Sequence, residues 1–103
     1  MHADISAHLT EMRDLCPRFG VRRLEVFGSA ARGADFDPAR SDADFLVEFD
    51  PAAPISPLEQ FFGLTEALER TLGRPVDLVE TGAVRNPYVR AEIDRARELI
   101  YAA

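Results

Sequence analysis

Two aspartates one residue apart, Asp42 and Asp44, open the apolar run 45–49, and this pair constrains the chain more than any other feature. Side chains alternate along a strand, so both carboxylates point to one side of it. Like charges crowded on one face repel unless a cation or strong hydrogen bonds intervene. Upstream, a second apolar run, 21–27, ends on Gly28-Ser29. A glycine there lets the backbone approach an anion closely, and the N–H groups of the turn with the Ser29 hydroxyl can cradle phosphate oxygens. Carboxylate oxygens suit Mg²⁺ when substrate phosphates complete its shell. Alone, Gly-Ser is an ordinary strand-to-helix turn. Followed by Asp42 and Asp44, it reads as a site for a polyphosphate and a divalent cation.

The rest of the chain supplies a frame for this stretch. Ile5, Leu9, Met12 and Cys16 recur at helical spacing, which predicts a helix over 4–16 stopped by Pro17. Gly20 turns into a strand over 21–27, a short helical turn is predicted at 29–33, and a polar loop at 34–41 is expected to be mobile without nucleotide. A second strand covers 44–49. Ser56-Pro57-Leu58-Glu59 is a capping box with proline at the first helical position, and its helix runs to Leu72 before Gly73. Leu58, Phe61, Phe62, Thr65, Leu68 and Leu72 are its predicted buried stripe. A third strand follows at 75–79. Asn86-Pro87 opens a last helix with Val89, Ile93, Ala96 and Ile100 on one face. This order gives an α/β layer, a small sheet with helices packed against it, as one domain over 1–103.

Composition narrows the classes of partner. A chain of 103 residues with 47% hydrophobic and 29% charged residues has the profile of an ordinary globular domain with one core. No apolar run approaches the roughly 20 residues that span a bilayer, and the N-terminus has no signal-peptide pattern, so no membrane association is expected. The single Cys16 excludes an internal disulfide and fits a cytoplasmic location. A net charge of −6 argues against a broad nucleic-acid face and suits a basic protein partner.

The ordered set Gly28, Ser29, Ala31, Arg32, Gly33, then Ser41, Asp42 and Asp44, then Asp77 in P-V-D-L-V, resembles the nucleotidyltransferase superfamily with its polymerase-β-like fold. It is similar specifically to the minimal nucleotidyltransferases, a branch of about this length. The resemblance implies a mixed sheet and AMP transfer from ATP, with two Mg²⁺ ions held by Asp42, Asp44 and Asp77. Asp77 would also be the acceptor's general base, and Gly28, Ser29 and Arg32 would bind the nucleotide. It further implies a HEPN-domain toxin as partner, neutralised when a tyrosine hydroxyl on it is adenylylated. Two other readings stay open: an antitoxin that binds without catalysis, and an adenylyltransferase of small molecules such as aminoglycosides.

Several residues carry a plainer reading. Asp77 has a plainer alternative as a strand side chain facing solvent, because the alternation V-D-L-V-E is imperfect, although the third-carboxylate reading is favoured on the resemblance. Arg32 either pairs with Asp35 or Asp37 or neutralises phosphate charge, and the sequence favours neither. Ser41 is expected to order the loop before Asp42. His2, His8 and Cys16 lack ligand or nucleophile spacing. Arg85, Arg90, Arg95 and Arg97, interleaved with Glu92, Asp94 and Glu98, read as a solvated helix face. Tyr88 and Tyr101 are expected to pack.

Overall fold

In the computed structural model, which describes residues 1–33, 36–37 and 42–103, four strands form one mixed sheet in the order β3-β2-β1-β4. These are β1 (Val21–Phe27), β2 (Ala43–Phe49), β3 (Val76–Glu80) and β4 (Arg97–Ala102). β1 runs antiparallel to both β2 and β4, whereas β2 and β3 are parallel. Among the described residues five α-helices accompany the sheet, α1 (Ala3–Ser6), α2 (Leu9–Arg18), α3 (Gly28–Arg32), α4 (Pro57–Leu72) and α5 (Pro87–Arg95), with a 3-10 turn at Thr81–Ala83.

Strand alternation divides the sheet into two unlike faces. Leu24, Val26, Ala43, Phe45, Val47, Leu78 and Ile100 point to the side of α2 and α4, where Met12, Leu15, Cys16, Leu64 and Leu68 close the core. Leu64→Ala is expected to cost about 3 kcal/mol in a denaturant titration, because the side chain is wholly buried and its neighbours are held by strands. Cys16 shares this core; burial pushes its thiol up to about 12, which makes it inert. On the opposite face stand Asp44, Leu46 and the buried Glu25. Glu25 is clamped by Arg23 at 2.9 Å and Arg97 at 3.1 Å.

The predicted 4–16 helix is two pieces, separated at Ala7 and His8, and it runs on through Pro17 to Arg18. The proline removes the donor that would bond the Arg13 carbonyl, and the helix ends one residue later. The predicted start and end of α4 are present: Ser56 Oγ accepts from the Glu59 N–H at 3.2 Å, and Gly73 is left-handed. The predicted stripe is buried only in part: Leu68 and Leu72 are in the core and Phe61 packs against it. Gln60, Leu64, Ala67, Leu68 and Leu72 face the sheet, while Leu58 and Phe62 are exposed. Two apolar stripes compete on this helix. The buried stripe includes Gln60, whose amide is satisfied by the Asp50 carbonyl at 3.1 Å.

The last helix is also shorter than predicted. It ends at Arg95, Ala96 leaves helical geometry, and the next six residues form β4 on the free edge of β1. Helical spacing from Val89 to Ile100 hid that strand, whose Leu99-Ile100-Tyr101 core favours extended structure. Tyr88, expected to pack, is 83% exposed, and Tyr101 packs partly against the core. In the loop after α3, Phe36 is buried between the His2 ring at 4.8 Å and the Arg74 guanidinium at 4.8 Å, an anchor that the polar composition of the loop concealed. Ser41, with residues 34–35 and 38–40 of the predicted loop, lies outside the described residues.

Candidate active site

The chain reverses sharply at the end of β1. Gly28 adopts φ +67°, and the short α3 that follows leaves the N–H groups of its first turn without intrahelical acceptors. A Cβ placed on Gly28 would lie 2.8 Å from Asp44 Oδ2, so the Asp44 carboxylate rests directly against this glycine. The register explains the closeness: Phe27 is opposite Asp44 in the β1–β2 ladder, and Asp44 is opposite Asp77 in the β2–β3 ladder. The glycine turn and two aspartates from neighbouring strands therefore meet at one end of the sheet. Asp42, exposed, immediately precedes β2 at the same end.

Electrostatics couple these groups. The Asp44 carboxyl is raised from 3.8 to about 6, first by burial, then by the negative charges of Asp77 and Asp42, with the Arg32 guanidinium opposing. Asp77 is solvent-exposed, as its plainer reading anticipated, yet its charge is felt at Asp44. Among the described residues no three His, Cys, Asp or Glu side chains are gathered tightly enough to hold an ion by themselves. The donor set nevertheless fits Mg²⁺: hard oxygens whose repulsion a cation relieves, with room left for ligands from a nucleotide.

Beside Asp44 lies an open cavity of about 330 Å³ lined by Phe27, Gly28, Ser29, Arg32, Val89, Glu92 and Ile93. Gly28, Ser29 and Arg32 were singled out in the sequence; the wall supplied by α5 was not. Asn86 Oδ1 caps that helix by accepting from the Tyr88 N–H at 2.9 Å. The spacing of Val89, Glu92 and Ile93 then puts all three on one side. Arg90 faces a different cavity, with Arg23, Arg97 and Thr81. His8 pairs with Glu11 at 2.6 Å, away from the aspartates in sequence and structure.

A turn cradle, a cross-strand pair of aspartates and a third aspartate beside them carry the arrangement that a nucleotidyl donor site needs. The family model of the nucleotidyltransferase domain matches residues 5–100. The chain belongs to the nucleotidyltransferase domain family. Protein adenylyltransferase MntA of Thermococcus cleftensis is 38% identical over 97 residues, covering 94% of this chain and 87% of that protein. A solved structure presented as a candidate minimal nucleotidyltransferase is 34% identical, with a TM-score of 0.72 and coverage of 91% of this chain and 90% of that one. The fold is also found in a chain of the complex between the tri-AMPylated HEPN toxin of Shewanella oneidensis and an MNT antitoxin, at 14% identity and a TM-score of 0.55, covering 92% of this chain and 73% of that one.

In this nucleotidyltransferase, Gly28 serves both the turn and the position of Asp44. Gly28→Ala is expected to destabilise by about 1–2 kcal/mol, from the left-handed conformation alone. It also pushes Asp44 aside, so ATP–Mg²⁺ affinity measured by calorimetry should fall more than it does for Ser29→Ala. The latter loses one hydroxyl contact of about 1 kcal/mol. Equal affinities in both variants and the wild type would remove the turn from the nucleotide site.

Proposed function

We propose that this nucleotidyltransferase transfers AMP from ATP to a tyrosine hydroxyl of a HEPN-type toxin and so acts as the antitoxin of the pair. The observation that carries the reading is the Asp44–Asp77 cross-strand pair held against Gly28. The α3 turn, with Ser29, receives the triphosphate, and Arg32 offsets part of its charge. Asp42, Asp44 and Asp77 hold Mg²⁺, which when bound neutralises the triphosphate and makes the acceptor hydroxyl more acidic. Asp77, the most solvent-accessible of the cross-strand pair, takes the proton of the acceptor hydroxyl on a carboxylate oxygen. The acceptor oxygen forms its bond to the α-phosphorus as the bond to pyrophosphate breaks. Chemistry of this kind consists largely of positioning and charge neutralisation.

Two relatives support a protein acceptor: a protein adenylyltransferase at 38% identity, and a fold neighbour in a complex with an AMPylated HEPN toxin. Among the described residues no helix is long and apolar enough to cross a membrane, which accords with a reaction between soluble proteins. The test is peptide mass spectrometry of a HEPN-domain protein from the same organism after incubation with this chain, ATP and Mg²⁺. AMP on a tyrosine, absent when EDTA is added, is the expected result. An unmodified partner together with an AMP-modified aminoglycoside would replace this reading with the small-molecule one.

A further inference from the structure

The side of α4 turned away from the sheet carries an apolar groove that the nucleotidyl site does not use. Leu58 and Phe62, one helical turn apart, are 68% and 61% exposed. With Phe19 and Gly63 they line a groove of about 500 Å³, rimmed by Glu59 and Glu66. Gly63 makes the groove possible: a Cβ there would lie 2.6 Å from the Phe19 ring, so the missing side chain lets the ring lie across the helix. Exposed apolar side chains gathered in a concave, charge-rimmed patch mark an interaction surface.

We infer that this groove docks a basic amphipathic helix of a partner protein. A helix is the shape that fits, because Leu58 and Phe62 at i and i+4 form an exposed ridge beside the Phe19 ring, against which the apolar ridge of another helix can pack. Charge selects which helix. If a second copy of this chain packed its α4 antiparallel across a twofold axis between Phe62 and Gly63, Glu59 of one copy would face Glu66 of the other. Such like-charge pairing opposes self-association. Glu66 has only a solvent-exposed partner, Arg70 at 3.7 Å, and Glu59 has no ion pair among the described residues. Both carboxylates are thus available to lysines or arginines flanking an inserted leucine. The net charge of −6 favours the same sign of partner. The groove lies on the α2 and α4 side of the sheet, and Asp44 with α5 on the other, so an occupant leaves the nucleotidyl site accessible.

The test uses the full chain and a fluorescein-labelled Leu/Lys peptide patterned as an amphipathic helix, with binding followed by anisotropy. The wild type should bind it, and a Leu/Glu peptide of the same pattern should not bind. Phe62→Glu should weaken binding about tenfold or more even though it makes the surface more acidic, which separates groove docking from general charge attraction. The double variant E59Q/E66Q should weaken it similarly and flatten its salt dependence. Since Phe62, Glu59 and Glu66 are exposed, the thermal midpoints should stay near the wild type. Undiminished binding by Phe62→Glu, or equal binding of the Leu/Glu peptide, would overturn the inference. So would a wild-type dimer in sedimentation that Phe62→Glu dissolves, because the occupant would then be a second copy.

Discussion

Asp44→Asn is expected to lower nucleotidyl transfer by roughly three orders of magnitude while making the metal-free protein more stable. Both effects have one cause. Asp44 lies against Gly28, opposite Asp77 and near Asp42, and its carboxyl is raised to about 6 by burial and by those two charges. The folded chain therefore binds this proton more tightly than the unfolded chain does. Ionised Asp44 opposes folding above pH about 6, and the opposition fades as the pH falls from about 6 toward 3.8. Because the side chain is only half-buried, solvent screening limits the effect to about 1 kcal/mol. Urea titrations of the metal-free wild type should show that gain on acidification, and Asp44→Asn should already have it at pH 7. An Asp44→Asn protein that transfers AMP at the wild-type rate would take Asp44 out of the site.

Asp77→Asn is expected to separate binding from chemistry. Asp42 and Asp44 remain to hold a nucleotide-bound ion, so ATP–Mg²⁺ affinity should stay within about tenfold of the wild type. Transfer should fall by roughly two to four orders of magnitude, since an amide cannot take the acceptor's proton. The side chain is exposed on the sheet edge, and its replacement leaves the core untouched, so the variant should fold normally and still bind its partner. In cells expressing the toxin, an enzymatic antitoxin must then fail to protect although the complex forms. Full protection by Asp77→Asn with no AMP on the toxin would instead support a purely binding antitoxin.

Short-range signals in this chain proved legible, and competing periodicities did not. The Gly28 turn and the Ser56 cap each depend on a few adjacent residues and are found where the spacing puts them, with Asp44 in β2 and Asp42 just before it. The juxtaposition of Asp44 with Asp77 needed strand pairing that spacing cannot supply; the family resemblance anticipated it. On α4, two apolar stripes that share Leu68 and Leu72 were equally regular, and the buried one carries Gln60, whose amide bonds the Asp50 carbonyl. At the C-terminus, a helical repeat continued through residues that the free edge of β1 drew into a strand. The α5 wall of the site escaped notice for a related reason: Glu92, paired with Arg95 at 2.9 Å, looks like any solvated helix charge until α5 is placed beside the Gly28 turn.

The central claim is that the Gly28 turn and the aspartates beside it direct attack to the α-phosphorus of ATP. Parallel incubations of the chain, Mg²⁺ and a HEPN-domain partner, with ATP labelled at either the α- or the γ-phosphate, test it most directly. The account predicts α-label on the partner protein, γ-label released in pyrophosphate, and neither outcome with Asp44→Asn. Transfer of the γ-label to the partner, or partner neutralisation with no label on any protein, would contradict it.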